Sequence, residues 1–330
     1  MRFVFVLMVS VWLVGCSGST TTTDTHDTSP STPSQVRLEA YFSRTSGPYR
    51  GGIDEQIVAD IDSATQSVHI AIYEITNDHI RDALMAAHDR HIDVRIMTDN
   101  TKANSDDMVV LRNAGIEIHY DDDNGLMHDK FLIIDHRIVW TGSSNYTYYG
   151  FYRNNENDLR IDDPSIAAAY EEQFGELCSG AHRHHPYTIH NVEIYFSPDD
   201  DFRTRLISAI DHATSSIELM VFAFTDRSIA DALIRAYKRG VVIQCVLDES
   251  FTTHDTHAQY DYLRGAGIDV TLDHNPYKLH NKVLLIDQNI VITGSYNLTN
   301  SANIINDENS LLIHSASLYD TYHHEFEQVK

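Results

Sequence analysis

Positive charge is what this sequence has least of. Its 330 residues include 24 lysines and arginines against 48 aspartates and glutamates, a formal net charge of −24. Proteins that hold a polyanion over a broad surface do so with many basic residues and counterion release, and this composition argues against that class. A local basic site stays open. Cysteine is scarce: Cys16, Cys178 and Cys245 are the three in the chain. Cys178 and Cys245 fall in different halves, so a bridge would join two domains; two buried free thiols are the expectation. Long apolar runs are missing too. Past Val14 no stretch is long and apolar enough to span a bilayer.

What is present begins with a leader. "MRFVFVLMVSVWLVGCSGS" has Arg2, an apolar run over 3–14, then Leu13-Val14-Gly15-Cys16. A short apolar run ending in small residues reads as a secretory signal. The Leu-Val-Gly-Cys ending resembles a bacterial lipobox, which implies a signal over residues 1–16 that ends at Cys16, the lipidated first residue of the mature protein. Ser17 follows the cysteine, where an aspartate would imply retention at the inner membrane, so the cell envelope or outer membrane is the expected location. Residues 17–36 are rich in Ser, Thr and Pro without apolar period and read as a tether.

The rest of the chain is written twice. "IDSATQSVHIAIYEIT" (61–76) matches "IDHATSSIELMVFAFT" (210–225), and "LRNAGIEIHYD" (111–121) matches "LRGAGIDVTLD" (263–273). The entry strands "LEAYFS" (38–43) and "VEIYFS" (192–197) correspond as well. The repeats are placed at 37–180 and 191–330, with 181–190 as linker. Each alternates strand and helix. Ile53, Ile57, Ile61 and Ala64 keep helical spacing, and a helix capped at Asp78 runs to about Arg90. The alternation predicts two tandem α/β/α sandwiches with mostly parallel central sheets. "FLII" and "VLLI" are apolar on both faces and so are central strands.

At the mouths of those two strands stand His128-x-Lys130 and His280-x-Lys282. Residues two apart on a strand share a face, so each histidine projects beside its lysine. Burying both there is costly unless chemistry uses them. Asp135 and Asp287 come five after each lysine, an odd separation that turns them away and suits a support. Gly-Ser-x-Asn follows in each copy, ending at Asn145 and Asn297, and eleven residues later come Glu156 and Glu308.

This doubled pattern, His-x-Lys-x4-Asp-x6-Gly-Ser-x-Asn, resembles the phospholipase D superfamily, and the resemblance covers about 38–330. It implies a pseudo-twofold pair of repeats with the active site at their interface. His128 and His280 then form the catalytic pair, one attacking phosphorus to give a phosphohistidine, the other protonating the leaving alkoxide. By resemblance His128 attacks. Lys130, Lys282, Asn145 and Asn297 would bind phosphate, with Ser143 and Ser295 as further donors. Asp135 and Asp287 complete the catalytic motifs, and Glu156 and Glu308 would orient the imidazoles. The scheme needs no metal and no cofactor. Both motifs lie in one chain, so a monomer suffices.

Outside the motifs, "AHRHHPYTIH" (181–190) reads as a solvated linker before a metal site, and "DDDNG" (121–125) as a loop without the ligand alternation of a calcium site. Tyr146, Tyr148, Tyr149, Phe151 and Tyr152 have no counterpart in the second copy. They could line an acyl or headgroup site, stack bases, or pack internally. The acidic charge and the anchor favour a phospholipid at a membrane surface as substrate, hydrolysed or transferred. Cleavage of DNA or RNA by the same chemistry is the alternative.

Overall fold

A computed structural model describes residues 36–43, 52–121, 125–181, 183 and 185–330. The expected signal, Cys16 and tether lie outside them, except Val36, as do residues 182 and 184 of the expected linker and most of the acidic loop. Among the described residues no helix is long and apolar enough to cross a membrane.

The first repeat holds strands β1 (Arg37–Phe42), β2 (Ser67–Ile72), β3 (Asp93–Thr98), β4 (Glu117–Tyr120), β5 (Lys130–Ile134), β6 (Ile138–Gly142) and β7 (Asn157–Asp162). Its helices are α1 (Ile53–Ser63), α2 (Asp78–Asp89), α3 (Asp106–Asn113), α4 (Tyr148–Tyr152) and α5 (Pro164–Ser179). The second repeat has β8 (Tyr187–Ile189), β9 (Val192–Ser197), β10 (Ser216–Val221), β11 (Val242–Leu247), β12 (Asp269–Leu272), β13 (Lys282–Ile286), β14 (Ile290–Gly294) and β15 (Glu308–His314). Its helices are α6 (Phe202–His212), α7 (Arg227–Lys238), α8 (Glu249–His254), α9 (Tyr260–Gly265), α10 (Asn300–Ile304) and α11 (Ala316–Val329).

Each repeat is a mixed α/β sandwich. The sheets run β1-β7-β6-β5-β2-β3-β4 and β12-β11-β10-β13-β14-β15-β9-β8. Among the strands of the described residues, parallel pairing is confined to β2-β3-β4 and β10-β11-β12, and the other strand pairs are antiparallel. The expectation of mostly parallel sheets is corrected here. Parallel neighbours need a long crossover, whereas β5–β6 and β13–β14 are joined by tight hairpins. The cap of α2 is also corrected: Asn77, not Asp78, accepts from the Ile80 N–H.

Side chains of the central strands alternate between two cores. On β5, Leu132 and Ile134 face α1–α3 in an outer core, while Phe131 and Ile133 face inward. The inward faces of both sheets, with α5 and α11, share one apolar cluster that includes Phe131, Tyr170, Phe196, Leu285 and Tyr322. Burial on the order of 25 cal/mol per Å² across that shared cluster fixes one repeat on the other. Cys245 is buried in the second outer core, Cys178 is half-buried, and both are free thiols. The expected linker is partly structure: β8 pairs with β9 at the sheet edge.

The motif aspartates sit in the hairpins. Asp135 and His136, and likewise Asp287 and Gln288, all have φ between 52° and 56°. Two successive residues at positive φ make a type I′ turn, the tight turn whose twist matches paired strands, and aspartate tolerates that region. The Asp287 carboxylate accepts from the N–H groups of Thr214, Ser215 and Ser216 and from two hydroxyls. Burial pushes its pKa up, but these donors outweigh burial and hold it at about 2. A depressed folded pKa gives stability present above the unfolded value near 4 and lost as pH falls toward 2. Asp287→Ala should therefore lower unfolding free energy by about 1 kcal/mol at pH 7, the shift being discounted for solvent screening of a partly exposed carboxylate, and by less at pH 3. Urea melts at the two pH values measure this; equal losses at both would contradict it.

Candidate active site

The motif residues enter the site from the starts of β5 and β13. His128 and His280 precede these strands by two residues, and Lys130 and Lys282 open them. All four side chains are buried. The loops that carry them interlock between repeats. The His128 N–H donates to the Asp307 carbonyl, and the His280 N–H to the Asn155 carbonyl. Each histidine is thus positioned by backbone just ahead of the other repeat's glutamate.

The glutamates cross over. His128 Nδ1 bonds Glu308 Oε2 at 2.8 Å, and His280 Nδ1 bonds Glu156 Oε2 at 2.9 Å. When ionised, each carboxylate accepts and cannot donate, which puts the proton on Nδ1 and leaves Nε2 as the free base. The serines expected to hold phosphate do something else. Ser143 Oγ donates to Glu156 Oε2 and Ser295 Oγ to Glu308 Oε2, each at 2.6 Å. A hydroxyl has one proton, and both serines are wholly buried, so they brace the glutamates and do not reach substrate. Asn154 and Asn306 donate to the other glutamate oxygens. The glycines before these serines have a steric reason. A Cβ on Gly142 would lie 2.1 Å from the Asn157 carbonyl oxygen, and one on Gly294 2.3 Å from that of Asn309.

Asn145 and Asn297 are half-buried, and the Oδ1 of each lacks a hydrogen-bond partner. They remain candidates for phosphate through their Nδ2 N–H groups, because a phosphate oxygen accepts and Oδ1 cannot donate. Asp135 does not join the site. Its carboxylate binds the N–H groups of Thr65, Gln66 and Ser67 at the far end of β5, as Asp287 does beyond β13. The aspartates therefore belong with the scaffold, a correction to their place among catalytic residues. The reason is the tight turn, which ends the strand before them.

Electrostatics compress the usual ionisation ranges. Burial pushes Lys130 down to about 8 and Lys282 to about 7, against the pull of Glu308 and Glu156. Burial also raises Glu156 to about 7, with Lys282 the main opposing influence. Both histidines are lowered, first by burial. At His128 the Glu308 charge offsets part of this while Lys130 and Lys282 add to it; at His280 the charges of Lys282, Lys130, His128 and Lys278 all add to burial. The lysines must be charged to hold phosphate, and kcat/KM reports the free enzyme's ionisations. We expect kcat/KM to fall as pH rises through about 7 to 8, where lysine in water would give no limb below 10. A pH–rate profile flat to pH 9 would contradict this.

Sequence patterns missed an aromatic beside each histidine. Tyr73 lies 5.6 Å from the His128 ring and Phe222 4.9 Å from that of His280. Lys102 and Lys130 approach Tyr73, and Lys278 and Lys282 approach Phe222. The two rings are aligned in the repeats, at the ends of "IAIY" and "LMVF", which is the signal that could have found them. The tyrosine-rich stretch divides. Tyr146 and Phe151 pack in the outer core of the first repeat, and Tyr152 donates its hydroxyl to Asp54. Tyr148 and Tyr149 are exposed, and Tyr149 lies 5.8 Å from Tyr277 of the other repeat.

Two α/β repeats around one site with paired His, Lys and Glu define the phospholipase D-like class. The family described as cardiolipin synthase, PLD-like domain, matches residues 57–178 and 206–330, and the chain belongs to it. It is 38% identical over 117 residues to a mitochondrial cardiolipin hydrolase of Chlamydomonas reinhardtii, across 35% of this chain and 52% of that protein. It is also 38% identical over 132 residues to a phospholipase D of Rickettsia prowazekii (strain Madrid E), across 40% of this chain and 64% of that protein. The chain thus spans about half to two thirds of the length of these relatives. In fold it is similar to the solved phosphatidylserine synthase of Haemophilus influenzae Rd KW20, with TM-score 0.66 over 88% of this chain and 85% of that one at 12% identity.

Proposed function

We propose that this chain is a phosphodiesterase that cleaves phosphatidyl phosphodiesters by double displacement. The observation that carries the reading is the pair of crossed His–Glu bonds, which brings two imidazoles and two lysines into one site. His128 Nε2, the attacking nitrogen by family resemblance, bonds phosphorus and forms a P–N bond as the P–O bond to the leaving alcohol breaks. His280 Nε2 gives its proton to that alkoxide, then takes one from the water that displaces the histidine. The phosphate anion held between them favours a protonated His280. Lys130, Lys282, Asn145 and Asn297 face the non-bridging oxygens, where negative charge builds. An alcohol in place of water would make the reaction a transfer.

The lipid reading rests on the acidic charge, on the leader ending at Cys16, and on relatives whose names are phospholipase D and cardiolipin hydrolase. Lipidation at Cys16 would hold the enzyme at an envelope membrane beside its substrate. One chain supplies both halves of the site, so a monomer is the working unit. Exposed Tyr148, Tyr149 and Tyr277 interleaved with Arg153 favour a second reading, stacking of nucleic-acid bases. Purified protein with excess chelator should release headgroup from phosphatidylglycerol or cardiolipin vesicles and leave single-stranded DNA intact. Cleavage of DNA with lipid untouched would replace the first reading by the second.

A further inference from the structure

The two repeats meet a second time away from the active site, where α5 ends and β8 begins. Glu172 and Glu176 are four apart on α5 and so share a face of the helix. His185 faces them from the segment leading into β8. Its Nε2 lies 3.4 Å from Glu172 Oε1 and 3.4 Å from Glu176 Oε1. The three ligand atoms all lie within 4.8 Å of one another. Those gaps are too long for hydrogen bonds, which close at about 2.7–3.2 Å. They match the edge of a tetrahedron: zinc bonds of about 2.0–2.1 Å set ligand atoms about 3.3–3.4 Å apart.

A second observation is independent of the cluster's composition. Glu176 is 5% exposed, and neither carboxylate oxygen has a hydrogen-bond partner. Both ring nitrogens of His185 are buried and lack one as well. Leaving such groups bare is costly. Arg183 approaches the same glutamate oxygens at 3.8 and 3.6 Å, beyond hydrogen-bonding reach, from a side chain that is 66% exposed. The donor set is also held in place. The His185 N–H donates to Asp200, and the Tyr187 hydroxyl donates to Glu172 Oε2, the oxygen that does not face His185. Such outer bonds orient ligands around metals.

We propose that Glu172, Glu176 and His185 bind one divalent zinc-like ion, with water in the fourth position. The ion clamps the last helix of the first repeat to the first strand of the second. It takes no part in the phosphodiester chemistry. This proposal departs from the expectation that 181–190 is only a solvated linker.

Full-length protein stripped with chelator and titrated with Zn²⁺ against a competing indicator should take up one tight equivalent and melt at a higher temperature. His185→Asn and Glu176→Gln should each weaken that binding at least tenfold, while His257→Asn, at an exposed histidine outside the cluster, leaves it unchanged. Retained hydrolysis of a soluble phosphodiester shows that a variant is folded. Glu172→Gln, at a more exposed ligand, gives the same binding test should Glu176→Gln not fold. No tight equivalent in the wild type, or wild-type binding in the ligand variants, overturns the proposal. Hydrolysis is read in the same samples. Zinc bound with an unchanged rate supports the clamp, whereas a rate that requires zinc assigns the ion to catalysis and overturns it.

Discussion

His128→Asn should abolish turnover of every phosphodiester offered, with a fall on the order of 10⁴-fold or more, as expected when a nucleophile is removed. His280→Asn should behave differently. With p-nitrophenolate as leaving group, protonation of the departing oxygen matters little, so the first step survives. The second step loses the base that activates water, worth about 10²–10⁴-fold. The His280 variant should therefore give a burst of nitrophenol near one equivalent and then stall. With a poor alkoxide leaving group it should show no burst. Stopped-flow absorbance on both substrates measures this, and matching traces for the two variants would contradict the division of labour.

The second large effect comes from the crossed glutamates. Glu308 belongs to the second repeat but bonds the first repeat's histidine. Glu308→Gln should slow formation of the intermediate by about 10- to 100-fold, the usual cost of losing an orienting partner. Glu156→Gln should spare formation with a good leaving group and slow breakdown by a similar factor, because its partner is His280. A merely structural role would slow both steps together. The reverse assignment, Glu308 governing breakdown, would mean that each glutamate serves its own repeat.

Much of this arrangement was legible in the sequence. A His and a Lys two apart at the mouth of an apolar strand had to share a face, and β5 and β13 place them so. The repeat itself announced a twofold site. What stayed hidden were contacts between copies. His128 and Glu308 are 180 residues apart and His280 and Glu156 are 124 apart, and no spacing rule says which glutamate meets which histidine. The serine hydroxyls were misread because a Ser beside an Asn says nothing about which acceptor its proton faces. Sheet direction was misread because alternating strand and helix describes only the first half of each repeat; the second half is hairpins. The buried polar seam was not seen at all. Thr141 bonds Asn309, Asn157 bonds Thr293, and Asn281 bonds Asn157, all between repeats. Taken singly, these residues look like ordinary strand polar positions.

The covalent step is the centre of the account, and rapid quench addresses it directly. The wild-type enzyme is mixed with a ³²P-labelled p-nitrophenyl phosphodiester, stopped in alkali within milliseconds, digested and mapped. The account predicts label that survives alkali and is lost in acid, on the peptide containing His128. Label on neither histidine in an actively turning-over enzyme would mean direct attack by water and would contradict it.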